Sequence, residues 1–183
     1  MARVPLLATR GQLTPEAQRA FDQIAARRGK VVGPFQVLLH APELAGRVGA
    51  LGQYLRFEGT LPDDVREAAV LAAARELDCA FEWSSHATMA RASGVADETI
   101  AAIAQRRGLE CVPDRQRVAI AFARQSIRRH RVGDDVFAAA QAAWGTQGVV
   151  ELVTTIGYYT MLAMVLNAAD VPPDPGTPIL PLP

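Results

Sequence analysis

The stretch VREAAVLAAARELDCAFEWSSHA, residues 65–87, decides the fold class of this chain. Its apolar residues recur at the spacing of a helix and do not alternate as in a strand. Pro62, Asp63 and Asp64 come just before or at its start, and carboxylates are favoured at the positive end of a helix dipole. The stretch therefore predicts two helices, one from about Asp64 and one over 79–93, that pack antiparallel on each other.

Four side chains in this stretch can carry chemistry. Cys79, Glu82 and His86 are spaced i, i+3 and i+7, which places them on one face of a helix. Glu67 is followed by alanines, valine and leucine, so it is predicted to be partly buried, and a buried carboxylate needs a partner. Histidine is a suitable partner, and a Glu–His pair is a general acid–base device. We therefore predict that Glu67 reaches His86.

Other interpretations of these residues remain open. His86 alone is also explained as a packed or surface histidine, and Glu67 alone as a charge near a helix start. Zinc ligands on a helix usually come at i, i+4 with a second histidine, and His40 and His130 are distant in sequence, so no metal is expected. The serines before His86 lie in no nucleophile elbow, which disfavours a serine hydrolase.

The rest of the chain is also helical in pattern and predicts an all-α, single-domain bundle of six to nine helices. Thr14 as N-cap, Pro15 at the first helical position and Gly29 at the end bound the first long helix. Asp97 is predicted to cap a later helix. The last helix, from about Gln147 to Ala168, is apolar around most of its circumference, so more than one side should be buried, one of them in a subunit interface.

These patterns divide the chain into an N-terminal extension over 1–13, a helical domain over 14–169 and an extended tail over 170–183. The tail, DVPPDPGTPILPLP, is too rich in proline for a helix. Ile179, Leu180 and Leu182 make it apolar, so we expect it to lie on the chain's own core or on a neighbouring subunit.

Composition disfavours several classes of partner. Nineteen basic and nineteen acidic residues give a formal net charge of zero, so neither nucleic acid nor an anionic membrane is an expected partner. The basic run 128–131 is interpreted as a solvated helix end. The apolar run 149–169 approaches the length of a membrane span, but it contains Glu151 and Asn167 and favours a buried or interface helix. With no signal peptide pattern, a cytoplasmic protein with reduced cysteines is expected.

Together these motifs resemble the carboxymuconolactone decarboxylase and alkylhydroperoxidase D-like superfamily over about residues 15–170. The redox branch carries a glutamate and, twelve residues later, C-x-x-C-x-x-x-H. Glu67, Cys79 and His86 match three of these places, and Glu82 stands at the second cysteine. The run FEWSSH, 81–86, is similar to the aromatic–Glu–Trp–x–x–His run of the decarboxylase-like branch. LLHAPELAGRVGALGQYLR, 38–56, and VVELVTTIGYYTMLAMVLNA, 149–168, add to the resemblance.

The departure at Glu82 bears on the activity. A dithiol peroxidase cycle needs one thiolate to attack and a second thiol to resolve, and Cys79 has no local partner. Cys79 is therefore interpreted as a small buried hydrophobe. The resemblance then implies a cofactor-free acid–base enzyme, a decarboxylase-like lyase or a hydrolase-like enzyme, that decarboxylates or transforms a small organic acid or lactone. Glu67, Glu82 and His86 are its candidate catalytic residues, with His86 as proton donor and Glu67 setting its tautomer.

The resemblance leaves the substrate and part of the site open. Trp83 and Tyr158 are candidate substrate-binding residues. A substrate carboxylate needs a cation or a hydrogen-bond donor, and the unranked candidates are Arg56, Arg66, Tyr158 and Arg131. The alternatives are a peroxiredoxin-like peroxidase that uses Cys79 with an external thiol reductant, and a non-catalytic scaffold or sensor. The resemblance also implies assembly as a homotrimer or homohexamer.

Overall fold

A computed structural model describes residues 2–181 of the chain, without the side chain of Arg27. The described residues form eight α-helices after a short 3₁₀-helix at Arg10–Gln12, with no strand among them, which confirms the all-α class. The helices are α1 (Pro15–Arg28), α2 (Pro34–Leu38), α3 (Pro42–Phe57), α4 (Asp63–Glu76), α5 (Ala80–Ala92), α6 (Asp97–Ala104), α7 (Asp114–Arg129) and α8 (Asp134–Ala169).

The chain divides into two compact units. The first unit comprises the residues up to Gly59 together with Met164–Pro172. In it, α1 packs against α3, and Gly49 lies so close to Ile24 that a Cβ on it would be 2.9 Å from Ile24 Cγ1. The predicted ends of α1 are confirmed, since the Thr14 side chain accepts a hydrogen bond from the Ala17 backbone N–H and Gly29 adopts φ 74°.

The second unit comprises Thr60–Ala163 and the residues from Pro173 onward, and α4 forms its centre. Every residue of α4 from Val65 to Arg75 is buried. Helices α5, α6 and α7 pack on it, and its alanines let them approach closely. A helix that is covered on all sides must satisfy its polar residues by pairing them with neighbours, which sets up the site described below.

A tight turn joins α4 to α5. Asp78 has φ 48°, and its carboxylate accepts hydrogen bonds from Arg75 Nη1 and, at 3.0 Å, from Arg106 Nη2. Helix α5 begins at Ala80, so Cys79 is its N-cap residue and lies just outside the predicted helix face. The short turn brings α5 back along α4, and the two helices pack on each other as the sequence predicted.

Helix α8 contains a break at Gly145, whose φ of 66° and ψ of −177° are not helical. The predicted start of a separate helix near Gln147 matches this break. By length and composition α8 could cross a membrane, but 56 % of its most apolar window is buried, as in a core helix of a soluble protein. Val150 and Val153 are nevertheless 56 % and 45 % exposed.

The start of α6 and the C-terminal tail were also predicted from the sequence. Asp97 was predicted as an N-cap, but the N-cap of α6 is Ala96, and the Asp97 side chain instead accepts a hydrogen bond from Arg91 Nε at 2.7 Å. In the tail, Leu180 is buried in the core of the second unit, whereas Ile179 is exposed. Leu182 and Pro183 lie outside the described residues.

Candidate active site

A carboxylate–imidazole–carboxylate group lies in the core of the second unit. Glu67, Glu82 and His86 are only 2 %, 4 % and 3 % exposed. His86 Nδ1 donates a hydrogen bond to Glu67 Oε2 at 2.7 Å, which confirms the predicted contact between these residues. On the other side of the ring, His86 Nε2 lies 3.3 Å from Glu82 Oε2. The imidazole is therefore held between two carboxylates.

Local structure explains why these three side chains meet. His86 follows Glu82 by four positions on α5, so the two side chains lie on the same face one turn apart. Glu67 lies on α4, and the turn at 77–79 brings its side chain against that face. The spacing on α5 is a property of the sequence, whereas the approach of Glu67 is a consequence of the packing of α4 on α5.

The two carboxylates control the charge of His86. Burial by itself lowers the pKa of a histidine, because it disfavours the charged form. The negative charge of Glu67, its hydrogen bond, and then the contact with Glu82 outweigh that effect and raise the pKa of His86 to about 9. At neutral pH the ring therefore carries two protons, one facing each carboxylate. Such a group is a proton donor held in place by its own counter-charges.

Aromatic residues of α8 complete one side of the site. The ring of Tyr159 meets His86 edge to face, with centroids 4.7 Å apart and an angle of 82° between the planes. Tyr158, the predicted substrate-binding residue, packs in turn on Tyr159 at 5.3 Å. Both tyrosines are 3 % exposed. Trp83, the other predicted substrate-binding residue, is 2 % exposed and belongs to the hydrophobic core of this unit.

Sequence reasoning did not single out Tyr159. Its position was signalled by the helical spacing of α8, where Leu152, Tyr159 and Leu166 are seven residues apart and all buried. A further buried carboxylate, Glu151, was also missed as a structural feature: it accepts hydrogen bonds from the backbone N–H and the hydroxyl of Thr60, at 2.7 and 2.8 Å. Glu151 thereby fixes the segment that leads into α4.

One of the three candidate arginines contacts the acid–base group. Arg66 Nη2 lies 3.5 Å from Glu67 Oε1, and the residue is 8 % exposed. Arg56 lies on α3 in the first unit, where its guanidinium stacks on the ring of Phe57. Arg131 is exposed after the end of α7. The structure thus ranks candidates that the sequence left equal.

The cysteines differ in their surroundings. Both are free thiols, and Cys79 is buried whereas Cys111 is exposed. Burial raises the pKa of Cys79 to about 11; hydrogen bonds from the α5 backbone oppose this effect, and the nearby charge of Glu82 adds to it. The Cys79 thiol is therefore protonated at neutral pH and is a poor nucleophile. Within residues 2–181 no group of three or more His, Cys, Asp or Glu is arranged to hold a metal ion.

Solved structures share this helical fold along nearly the whole chain. A Cys→Ala variant of the debrominase Bmp8 in complex with 2,3,4-tribromopyrrole matches at a TM-score of 0.75 and 15 % identity, over 96 % of this chain and 95 % of that one. An uncharacterized peroxidase-related protein with an alkylhydroperoxidase AhpD core, from Ralstonia eutropha JMP134, matches at 0.74 and 19 % identity, over 95 % and 93 % of the chains. An uncharacterized peroxidase-related protein from Silicibacter sp. TM1040 matches at 0.75 and 16 % identity, over 95 % and 92 %.

The fold is thus that of the alkylhydroperoxidase D-like helical proteins, with a buried acid–base group between α4 and α5. Residues 42–125, which include that group, match the model of the carboxymuconolactone decarboxylase family. Over residues 42–125 the chain is thus similar to the carboxymuconolactone decarboxylase family, and over nearly its whole length it has the fold of the alkylhydroperoxidase D-like proteins. None of the curated proteins compared with it is similar enough in sequence to count as a relative.

Proposed function

We propose that the protein is a lyase of the carboxymuconolactone decarboxylase kind, which transfers a proton to a small carboxylated lactone during loss of CO₂. The observation that carries this proposal is the position of His86 between Glu67 and Glu82, at 2.7 and 3.3 Å in a buried site. The match of residues 42–125 to the decarboxylase family supports it. We also propose that the enzyme works as a homo-oligomer in the cytoplasm.

The proposed step needs one proton and no external oxidant or reductant, because the electron pair of the broken bond stays with the substrate. The bond between the substrate's ring carbon and its carboxylate breaks, CO₂ leaves, and the electron pair is delocalised onto the neighbouring unsaturated lactone. His86 then gives its Nε2 proton to carbon, which forms the new C–H bond and leaves a neutral imidazole. Glu67 keeps the ring oriented through Nδ1, and Glu82, beside Nε2, passes a proton from water to restore the imidazolium.

A thiol-dependent peroxidase is a weaker proposal. Its first step requires a thiolate, but the Cys79 thiol is 1 % exposed and its pKa is raised to about 11. The residue three positions further along is Glu82, whose charge disfavours an adjacent thiolate. A non-catalytic scaffold would need neither an ionised imidazole nor two buried carboxylates, and such a group is costly to bury without a function.

The experiment is a measurement of CO₂ release from carboxymuconolactone by the wild type and three variants. The wild type and Cys79→Ser should be active, and His86→Ala should lose about 100-fold or more, the usual contribution of a general acid. His40→Ala is the matched control, because His40 is exposed and binds the backbone carbonyl of Pro5 in the first unit. It should leave the activity unchanged.

Other outcomes would separate the alternatives. Consumption of an organic peroxide with a thiol reductant that disappears in Cys79→Ser would overturn the lyase and support the peroxidase. Absence of both activities in a folded wild-type protein, across a panel of small carboxylated lactones, would overturn the lyase in favour of a scaffold. Full activity in His86→Ala would remove the imidazole from the mechanism.

A further inference from the structure

Arg66 is a buried cation that its own chain satisfies only in part. It lies in the first turns of α4, next to Glu67, and it is 8 % exposed. Nη1 binds Asp63 Oδ1 at 2.8 Å, and Nη2 lies 3.5 Å from Glu67 Oε1, longer than a hydrogen bond. Nε is buried and has no hydrogen-bond partner among the described residues. A buried donor without a partner is costly, so this nitrogen calls for an explanation.

Arg75, on the same helix, is a buried arginine whose Nε and Nη1 both have hydrogen-bond partners within the chain. It is 6 % exposed, close to the value for Arg66. Its Nε donates to the carbonyl of Ala104 at 2.6 Å, and its Nη1 donates to Asp78. Arg124 also has a buried Nε without a hydrogen bond, but it lies on α7, where its Nη1 and Nη2 donate to the backbone carbonyls of Arg107 and Ala102. Arg66 is therefore distinguished by an unused donor beside the candidate active site.

The position of Arg66 relative to His86 is set by a single carboxylate. Glu67 faces the guanidinium with Oε1, at 3.5 Å, and the imidazole with Oε2, at 2.7 Å. An anion bound to Arg66 therefore lies within the length of one small molecule from the proton donor. The contact with Asp63 uses Nη1, which leaves Nε–H and Nη2–H, the parallel pair of donors on the other edge of the guanidinium, for that anion.

We propose that Arg66 binds the carboxylate of the substrate through Nε–H and Nη2–H, while Nη1 keeps its contact with Asp63. The planar fork of a guanidinium suits a carboxylate held by two parallel hydrogen bonds. This inference rests on the proposed function and deepens it, because it names the residue that recognises the carboxylate of the proposed lactone. Arg66 acts by binding and orienting the substrate, and His86 supplies the proton.

The test compares the affinities of two probes by calorimetry, γ-carboxy-γ-butyrolactone and γ-butyrolactone, which lacks the carboxylate. The wild type should bind the carboxylated probe at least about tenfold more tightly, and Arg66→Gln should lose that preference, since a hydrogen bond to a charged group contributes about that much. Arg66→Lys should keep part of the preference, because it retains the charge without the fork. Arg47→Gln, which changes an exposed arginine of α3, should keep all of it.

Asp63→Asn separates ligand binding from a purely structural role. This variant removes the negative charge that faces Arg66 but leaves the guanidinium, so the preference for the carboxylated probe should persist. Loss of the preference in Asp63→Asn, its retention in Arg66→Gln, or its absence from the wild type would each overturn the proposal. If Arg66→Gln does not fold, the affinities of Arg66→Lys and Asp63→Asn for the two probes test the proposal instead. A preference for the carboxylated probe in Arg66→Lys as large as in the wild type would then overturn it.

Probe affinity tests the binding role of Arg66, and CO₂ release tests the proposed lyase activity, so either proposal can be overturned without the other. His86→Ala should retain the preference for the carboxylated probe although it releases no CO₂. A wild type that binds the carboxylated probe through Arg66 but decarboxylates nothing would overturn the proposed function and support the binding role. If the wild type and Arg66→Gln both release CO₂ with the same KM, the binding role alone would be overturned.

Discussion

At the scale of single residues, the protein places an imidazole where two carboxylates decide its charge. Glu67 and Glu82 flank His86 in a site that is less than 5 % exposed. Each charge there would be costly alone, and the burial is tolerable because opposite charges meet at hydrogen-bond distance. The protonation state of His86 is thus the residue-scale property from which the proposed chemistry follows.

Glu67→Gln should lower the pKa of His86. The charge of Glu67 is the largest influence that raises the value to about 9, and the amide removes it while keeping a hydrogen-bonding oxygen. A fall of about 1 to 2 pH units is expected for the loss of a charge at this distance. The measurement is an NMR titration of the imidazole resonances, which are few because the chain has three histidines. An unchanged pKa in the variant would contradict the proposed electrostatics.

His86 should also make the stability of the folded state depend on pH. Its pKa is about 9 when folded and 6.5 when unfolded, so the folded state binds the extra proton between these values. The stabilisation is fully present below pH 6.5 and is lost as the pH rises through 9, which lowers the free energy of unfolding by about 3 kcal/mol. Urea unfolding across this range measures it. Glu67→Gln should flatten the decline, and a stability that is constant or rises from pH 6.5 to 9 would contradict the expectation.

The two cysteines should react at very different rates. Cys111 is exposed, whereas Cys79 is buried with its pKa raised to about 11. A thiol reagent such as DTNB at pH 8 should therefore modify one thiol per chain quickly in the native protein and two in urea. Cys111→Ser should remove the fast reaction. A fast reaction that persists in Cys111→Ser would mean that Cys79 is accessible, which would revive the peroxidase proposal.

At the scale of secondary structure, α4 and α8 both depart from an ordinary amphipathic helix. Helix α4 is buried from Val65 to Arg75 because alanine lets three neighbouring helices approach it. Helix α8 changes direction at Gly145, whose backbone angles are accessible almost only to glycine. The first helix therefore sets the position of Glu67, and the break in the second sets the direction of the segment that carries Tyr159.

Gly145→Ala should destabilise the protein by about 1–3 kcal/mol, because a Cβ is strained at φ 66° and ψ −177° even where there is space for it. Gly46→Ala is the matched control. Gly46 lies inside α3, and a Cβ there would meet only the flexible side chain of Gln23, at 3.5 Å. The control should be neutral or stabilising, by up to about 1 kcal/mol. Thermal unfolding of both variants measures the difference, and equal effects would argue against a strained glycine at 145.

At the scale of the whole molecule, the described surface keeps apolar residues that a lone chain would be expected to cover. Val150 and Val153 are 56 % and 45 % exposed on the uncharged outer face of α8. Exposed apolar surface of this kind marks an interaction site in many soluble proteins. We keep the expectation that the partner is a second copy of the chain, in a homotrimer or homohexamer.

Light scattering after size-exclusion chromatography should therefore give a mass of three or six times the 19.6 kDa of one chain. Val153→Glu should shift the protein toward smaller species, because it places a charge in the expected interface. Gln141→Glu introduces the same charge at an exposed polar position of α8 and should leave the mass unchanged. A wild type that elutes as a single chain of 19.6 kDa would contradict the expected assembly.

The sequence by itself determined the helices and the chemistry-bearing positions along them. Thr14, Pro15 and Gly29 bound α1 because caps and proline act within one turn of the chain. The spacing of Glu82 and His86 set their shared face for the same local reason. The contact of His86 with Glu67 was also predictable, because a carboxylate among alanines needs a partner.

Only the tertiary structure decided which side chains complete the site. It put Tyr159 rather than Tyr158 against the imidazole, ranked Arg66 above the other arginines, and buried Cys79 deeply enough to suppress its ionisation. Helical periodicity fixes the direction of a side chain relative to its own axis. Contacts between helices and the loss of hydration depend on how distant segments pack, and those two quantities set the charge, reactivity and partners of each buried group.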